Sequence, residues 1–464
     1  MKKLLILLFI SSFFFSCDSF LEEESQDQII PKTPSQLKEF LFGECYLKSN
    51  KVKDFYLDIM TDDVSEHIKY ANKDNRLDYY GYYTWQQSPE HGLAEELTLD
   101  KAYGYYYHQI LISNIVLDML ETMKGDANEI ADLKGETYFI RAYAYFMLVN
   151  LYGEPYNKTN ADNLLGVPIN DNIGVKNETH KRASVADVYK RIISDITNSI
   201  KFLKEGGVRK TQFRISECAA NILAARASLF SEDYDAALTY SNRAIELNPT
   251  LCNLNTFDKS YLINLSNPEV VFTYGSASSA YYQKYTTSFS VSPELTSLYE
   301  ADDLRKSKYF SSSSGKLFPM KTKSYTDSYE FALRISEAYL IRAEVYANKE
   351  KYDLAMDDIN KIRENRFSSV TILSASDKKT ALDYVKRERR LELCFEQFRW
   401  FDLRRWGMPE IKHTWTTDIE AKKSVTYTLK EGDKAYTLPI PKDVLDNNKI
   451  IKRIGRPVRN FDNN

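Results

Sequence analysis

The 464 residues predict a mainly α-helical fold, an α-α superhelix of tetratricopeptide-like helical pairs packed against an irregular, loop-rich half. Three observations carry this. Glycine and proline number 16 and 13, about 6% of the chain, half of the roughly 12% in average usage, and so few turn-makers favour helices over many short strands. Long apolar patterns step by three and four residues, and two segments repeat the small-residue spacing of one helical unit. The 43% apolar content can fill a large core. With 62 basic against 65 acidic residues, the charge gives no electrostatic case for nucleic acid as a partner, and none is expected. Tyrosine supplies 34 residues, phenylalanine 24 and histidine five. That inventory is rich in contact surface and poor in acid-base groups, so it favours a binding protein over an enzyme.

At the N-terminus, Lys2 and Lys3 precede an apolar run from Leu4 to Phe15, the layout of a secretory signal peptide over residues 1–16. The run is too short to span a bilayer as a helix. Ser16-Cys17 resembles a bacterial lipoprotein box, which would make Cys17 the lipidated first residue of the mature chain. Asp18 and Glu22 to Glu24 resemble an acidic tether to the cell surface, so residues 17–30 read as the anchor and 31–464 as a single domain. Cys45, Cys218, Cys252 and Cys394 lack the short paired spacing of a metal site. Cys218 and Cys394 read as small buried thiols.

Within the domain, Leu133, Ile140, Ala144, Leu148 and Leu151 line one helix face, and Val185, Tyr189, Ile192, Ile196, Ile200 and Leu203 line another. Ser184 with Asp187 is a helix-start pair and Gly206-Gly207 a stop. Ala225, Ala237, Ala244 and Pro249 follow the spacing of a tetratricopeptide unit, and Ala343, Tyr346 and Ala355 begin a second copy 118 residues later. Insertions at about 60–110 and 250–330 therefore separate the helical pairs. Each is tyrosine-rich: Tyr70 to Tyr107 holds nine tyrosines and Leu251 to Glu330 nine more. A strand-like run, Val270 to Tyr274, lies in the second.

Catalytic motifs are missing: the chain has no phosphate-cradling glycine loop, no glycine-flanked nucleophilic serine and no two-histidine zinc motif. Asp62, Asp63, Glu66 and His67 form a compact cluster that reads as a helix start with solvated acids, with metal binding as the lesser alternative. Glu388, Glu392 and Glu396, interleaved with Arg389 and Arg390, read as ion pairs along helix faces. Tyr143, Tyr145 and Tyr189 read as packing. Tyr79, Tyr80, Tyr82, Tyr83 and Trp85 crowd a glycine-bearing loop and cannot all point inward. Exposed rings of this kind suit stacking on sugars. Arg76 can bond hydroxyls or a carboxylate beside them.

Several long motifs occur in order. Gly135-Glu136-Thr137-Tyr138-Phe139-Ile140-Arg141-Ala142 runs on to Leu151-Tyr152-Gly153-Glu154-Pro155, and Gly166-Val167-Pro168-Ile169 follows. Leu340-Ile341-Arg342-Ala343-Glu344, Glu388 to Glu396, Arg399 to Gly407 and Pro439-Ile440-Pro441 come later. In these motifs the chain resembles the SusD/RagB family of Bacteroidetes outer-membrane nutrient-binding lipoproteins. The resemblance implies a non-enzymatic, surface-exposed outer-membrane lipoprotein without a cofactor. It would capture oligosaccharides, or in the RagB branch peptides, as a hinged lid on a SusC-like TonB-dependent transporter. It also implies that Arg141, Glu344, Arg389 and Arg399 belong to the scaffold, and that Trp85 with Tyr106 and Asn114 resembles a scaffold pattern. By position, the loop from Arg76 to Trp85 and the segment with Tyr281, Tyr282 and Tyr285 match the family's ligand loops. A tetratricopeptide-like envelope scaffold without a small ligand is the alternative from another class, and a surface glycosidase has no support in the motifs.

Overall fold

The structure, a computed structural model, describes residues 31–46, 56–68, 73–93, 101–174, 178–207, 210–274, 288–321 and 331–459. Among these, nine helices of twelve residues or more carry the fold: α1 Pro34–Cys45, α2 Ala102–Thr122, α3 Ala127–Tyr152, α4 Val185–Gly206, α5 Glu217–Phe230, α6 Tyr234–Leu247, α7 Ile335–Asn348, α8 Tyr352–Glu364 and α9 Lys378–Leu393. Side chains of Thr33, Asp126, Ser184, Ser216, Asp233 and Asp377 each accept a first-turn amide, which satisfies donors that have no partner inside a helix. The predicted start of α4 forms as read: Ser184 Oγ accepts from the Asp187 amide at 3.0 Å. Gly207, in the left-handed region at φ 60°, ends it.

Helix α3 is the core of the molecule, sandwiched between α2 and α4. Its sequence reads as amphipathic, yet every residue from Phe139 to Tyr152 is buried, so it is a helix enclosed on all sides. It runs antiparallel to α4, as the pairs Gly135 with Ser199, Arg141 with Asp195 and Asn150 with Tyr189 show. Where the start of α3 meets the end of α4, close approach needs a small residue on each helix. A Cβ on Gly135 would lie 2.6 Å from Leu203 Cγ, and one on Gly206 2.8 Å from the Asp132 amide nitrogen.

The two repeats are the hairpins α5–α6 and α7–α8, with Ala225, Ala237, Ala244, Ala343 and Ala355 fully buried. The repeat extends to the turns, where Glu232 and Glu350, again 118 apart, both adopt positive φ. Helix α6 packs directly on α7, so hairpins separated by residues 248–334 in sequence stack in space. Among the described residues the irregular part holds four two-stranded antiparallel sheets: β1 Val64–Glu66 with β3 Phe289–Val291, β2 Val270–Tyr274 with β6 Phe331–Arg334, β4 Phe310–Ser313 with β5 Lys316–Pro319, and β7 Ile411–Asp418 with β8 Lys423–Leu429. Strand β2 falls where its sequence places it.

Charge pairing departs from the sequence reading. Helix α9 ends at Leu393, and its acids turn inward to cations from other elements rather than to Arg389 and Arg390. Glu392 accepts from Arg334 at 2.7 Å and from Arg366 at 2.9 Å. Glu396 accepts from Arg334 and Lys321, both at 2.6 Å, and Glu388 from Arg305 at 2.6 Å. Burial pushes the Glu392 carboxyl up, but the Arg366 and Arg334 guanidiniums outweigh it and hold the group well below the usual carboxylate range. Arg389 and Arg390 face elsewhere, to Asp402 at 2.8 Å and Asp63 at 2.7 Å.

The Asp62 cluster is likewise neither a helix start nor solvated. Asp62 is clamped by Arg399 at 2.7 Å and Glu66 by Arg76 at 2.6 Å, Asp62 directly before the partly buried strand β1 and Glu66 at its end. No group of metal-holding side chains occurs among the described residues. Cys45, Cys218, Cys252 and Cys394 are buried, and burial pushes Cys394 up to about 11. Among the described residues no helix is long and apolar enough to cross a membrane.

Candidate ligand-binding groove

Residues Tyr80–Tyr83 form a single helical turn, which sends successive rings about 100° apart into different walls. Tyr82 stacks on Tyr56 at 4.2 Å. Tyr83 stacks on His413 at 4.1 Å and leans on Phe289. Trp85 also stacks on His413, at 4.4 Å, and donates Nε1 to the Met60 carbonyl at 2.9 Å. Tyr79, Tyr82, Tyr83 and Trp85 are at most 3% exposed. The expectation that consecutive rings must reach solvent is corrected here: the turn is enclosed by the β7–β8 hairpin, β3 and residues 56–60, so each ring finds a partner. Tyr80 is half-buried, edge-on to Trp415 at 5.0 Å, with its hydroxyl 2.7 Å from that of Tyr427. Arg76 is pinned rather than free. Its Nη1 donates to Glu66 at 2.6 Å and to the Thr416 carbonyl at 2.7 Å, and its guanidinium lies 4.2 Å from the Trp415 ring. Tyr281, Tyr282, Tyr285 and Cys17 lie outside the described residues.

A concavity opens beside the same turn. Residues 82–91 face 438–446 and 452–456 across two adjoining depressions of about 380 and 400 Å³, which share Glu90, His91, Leu438, Pro439 and Lys442. The first has an apolar floor of Tyr82, Pro89, Leu438, Pro439 and Pro441, with Asp443 and Asp446 on its rim. Pro439 and Pro441 contribute no amide donors to this wall, and a short helix, Lys442–Asn447, begins directly after Pro441. Arg456 staples the groove's sides together: Nη1 donates to the Thr437 carbonyl and Nη2 to the Gln86 carbonyl, both at 2.9 Å. Arg182 does the same behind it, donating to the carbonyls of Gly166 at 2.7 Å, Lys452 at 3.2 Å and Tyr152. Burial pulls the Arg456 guanidinium down to about 10 and that of Arg182 below its ordinary value.

The sequence reading passed over these residues. Pro439-Ile440-Pro441 stood only as a motif, and the run of Lys452, Arg453, Arg456 and Arg459 was the signal that would have found the rest.

A family model described as starch-binding and associating with the outer membrane, of SusD-like type, matches residues 19–229. The SusD family model matches residues 305–455. The chain belongs to the SusD/RagB family.

The first SusD-like match takes in α1 to α4 and nearly all of α5, the second α7 to α9 and the 438–455 wall of the groove. Solved SusD structures share the fold. A SusD-like carbohydrate binding protein from Bacteroides vulgatus superposes with TM-score 0.71 at 20% identity, covering 91% of this chain and 98% of that one. A SusD superfamily protein from Bacteroides thetaiotaomicron gives TM-score 0.74 at 21% identity, covering 91% and 100%. SusD-like protein P25 of Formosa agariphila is 23% identical over 279 residues, 59% of this chain and 51% of the relative, so the match spans about half of that protein's length.

Proposed function

We propose that this SusD/RagB member is an outer-membrane lipoprotein, anchored through Cys17 and surface-exposed, that captures oligosaccharides and passes them to a SusC-like TonB-dependent transporter. The observation that carries this reading is the family match in both halves of the chain, together with a structural neighbour named as a carbohydrate binding protein. The groove is consistent in kind: apolar proline and leucine surfaces suit the C–H faces of sugar rings, and a charged rim suits their hydroxyls. Delivery would follow from a difference in ligand affinity between open and closed arrangements on the transporter, since a ligand shifts such an equilibrium only by that difference.

Calorimetry of the mature chain without Cys17, against plant, host and microbial glycans and a peptide pool, tests the proposal. Saturable binding to one glycan class without turnover is the expected result. Binding to peptides alone would overturn it in favour of a RagB-like peptide carrier, and silence throughout would favour a helical-repeat scaffold. Tyr83→Ala belongs in the same experiment. Its buried ring predicts a stability loss of about 3–5 kcal/mol with the affinity of the folded fraction unchanged. A loss of affinity at undiminished stability would return that ring to the ligand.

A further inference from the structure

Buried and half-buried arginines, Arg182 being half-buried, fall into two kinds in this protein. Arg305, Arg334, Arg366 and Arg389 each touch a carboxylate. Among the described residues, Arg182, Arg404 and Arg456 have none within ion-pair distance and donate to carbonyls and a hydroxyl instead. Carbonyls satisfy hydrogen bonds but leave the net charge standing, and a buried charge without a counter-charge is disfavoured. Arg456 is 6% exposed, with its Nε bonded to nothing.

Two of these three, Arg182 and Arg456, line the 400 Å³ depression, where Lys452 and Arg453 join them and Glu90 is the lone carboxylate. Lys452 and Arg453 are exposed, and neither has a carboxylate partner among the described residues. Lys442, also on the lining, is neutralised by Asp446. Four uncompensated cations thus face one acid, on a chain whose net charge is -3. A concave low-dielectric wall concentrates such a field and attracts an anion.

We propose that this end of the groove takes an anionic group of the captured saccharide, a uronate carboxylate or a sulfate ester, with Lys452 and Arg453 as the contacting cations and Arg456 and Arg182 as a fixed field behind them. The adjoining apolar depression then holds a neutral part of the same chain. This assignment rests on the glycan-binding reading and narrows its substrate class to acidic oligosaccharides.

The test compares three probes by calorimetry at low and high salt: a galacturonic acid trimer, a sulfated galactose trimer and a neutral galactose trimer. They are titrated into the mature protein and into a Lys452→Ser, Arg453→Ser variant whose changes lie on the surface. At least one acidic trimer should bind about tenfold tighter than the neutral one, with affinity falling as salt rises. The double variant should erase that preference while leaving the melting temperature unchanged. Whether the carboxylate or the sulfate trimer is favoured identifies the source of the anion. Equal binding of acidic and neutral trimers, or a preference that survives the double variant, would overturn the assignment and leave glycan capture standing. Binding of peptides alone in the wider panel would remove the glycan reading itself.

Discussion

His413 shows at the scale of one residue why the tyrosine cluster lies inside. Its Nδ1 is 2.7 Å from the Tyr83 carbonyl and its Nε2 2.9 Å from that of Thr61, while Tyr83 and Trp85 stack on its ring. One imidazole thereby ties together three stretches of chain. Burial pushes it down to about 4, so the native ring is neutral at pH 7 and donates to only one of the two carbonyls. The unfolded chain takes up the proton first, near pH 6.5. The stabilisation is therefore complete above about pH 6.5 and lost as pH falls towards 4, by on the order of 3 kcal/mol. Thermal melts from pH 7 to 4.5 should show a steeper decline for the wild type than for His413→Gln. Parallel slopes would mean that this ring does not set the acid response. Arg76 teaches a similar lesson: a loop arginine free to meet a ligand in sequence is, in the fold, held by Glu66 and Thr416.

Among elements, the amphipathic helix α4 and the hairpins α5–α6 and α7–α8 were legible in sequence, since their periodicity, caps and small residues act within a turn or two of chain. Helix α3 was legible as a helix but not as a central one. Its polar groups are satisfied from outside, Arg141 by Asp195 and Asn114, Asn150 by Tyr189, and periodicity does not register partners on other helices. The α3–α4 crossing makes a sharp prediction. Alanine is the better helix former by about 1 kcal/mol, yet Gly135→Ala should destabilise by about 1–3 kcal/mol, because its Cβ would meet Leu203 Cγ at 2.6 Å and the Leu203 amide nitrogen at 2.7 Å. Urea unfolding measures this. A stabilised variant would show that α4 can move away freely.

Over the whole molecule, buried charge joins parts that the sequence separates. Glu392 and Glu269 share Arg334 and Arg366, which links α9, the turn after α8 and the start of the β2–β6 pair. Asp62 and Asp63 bring residues near β1 to Arg399 and Arg390. Glu392→Ala would leave Arg334 and Arg366 still touching Glu269 but the buried network one negative charge short, and should cost about 3 kcal/mol, seen in calorimetry as one transition moved to lower temperature. A separate low-temperature transition would show instead that the network stabilises only one part. The sequence by itself determined the helices, their repeat, the strand at Val270–Tyr274 and the family, because each is written in residues a few positions apart or in long motifs. Only the tertiary structure decided which way the tyrosines point, which arginine holds which acid, and that residues 82–91 meet 438–456 to form a groove. Burial and charge pairing depend on neighbours brought together from far along the chain, such as Tyr83 and His413, 330 residues apart, and no local pattern encodes them.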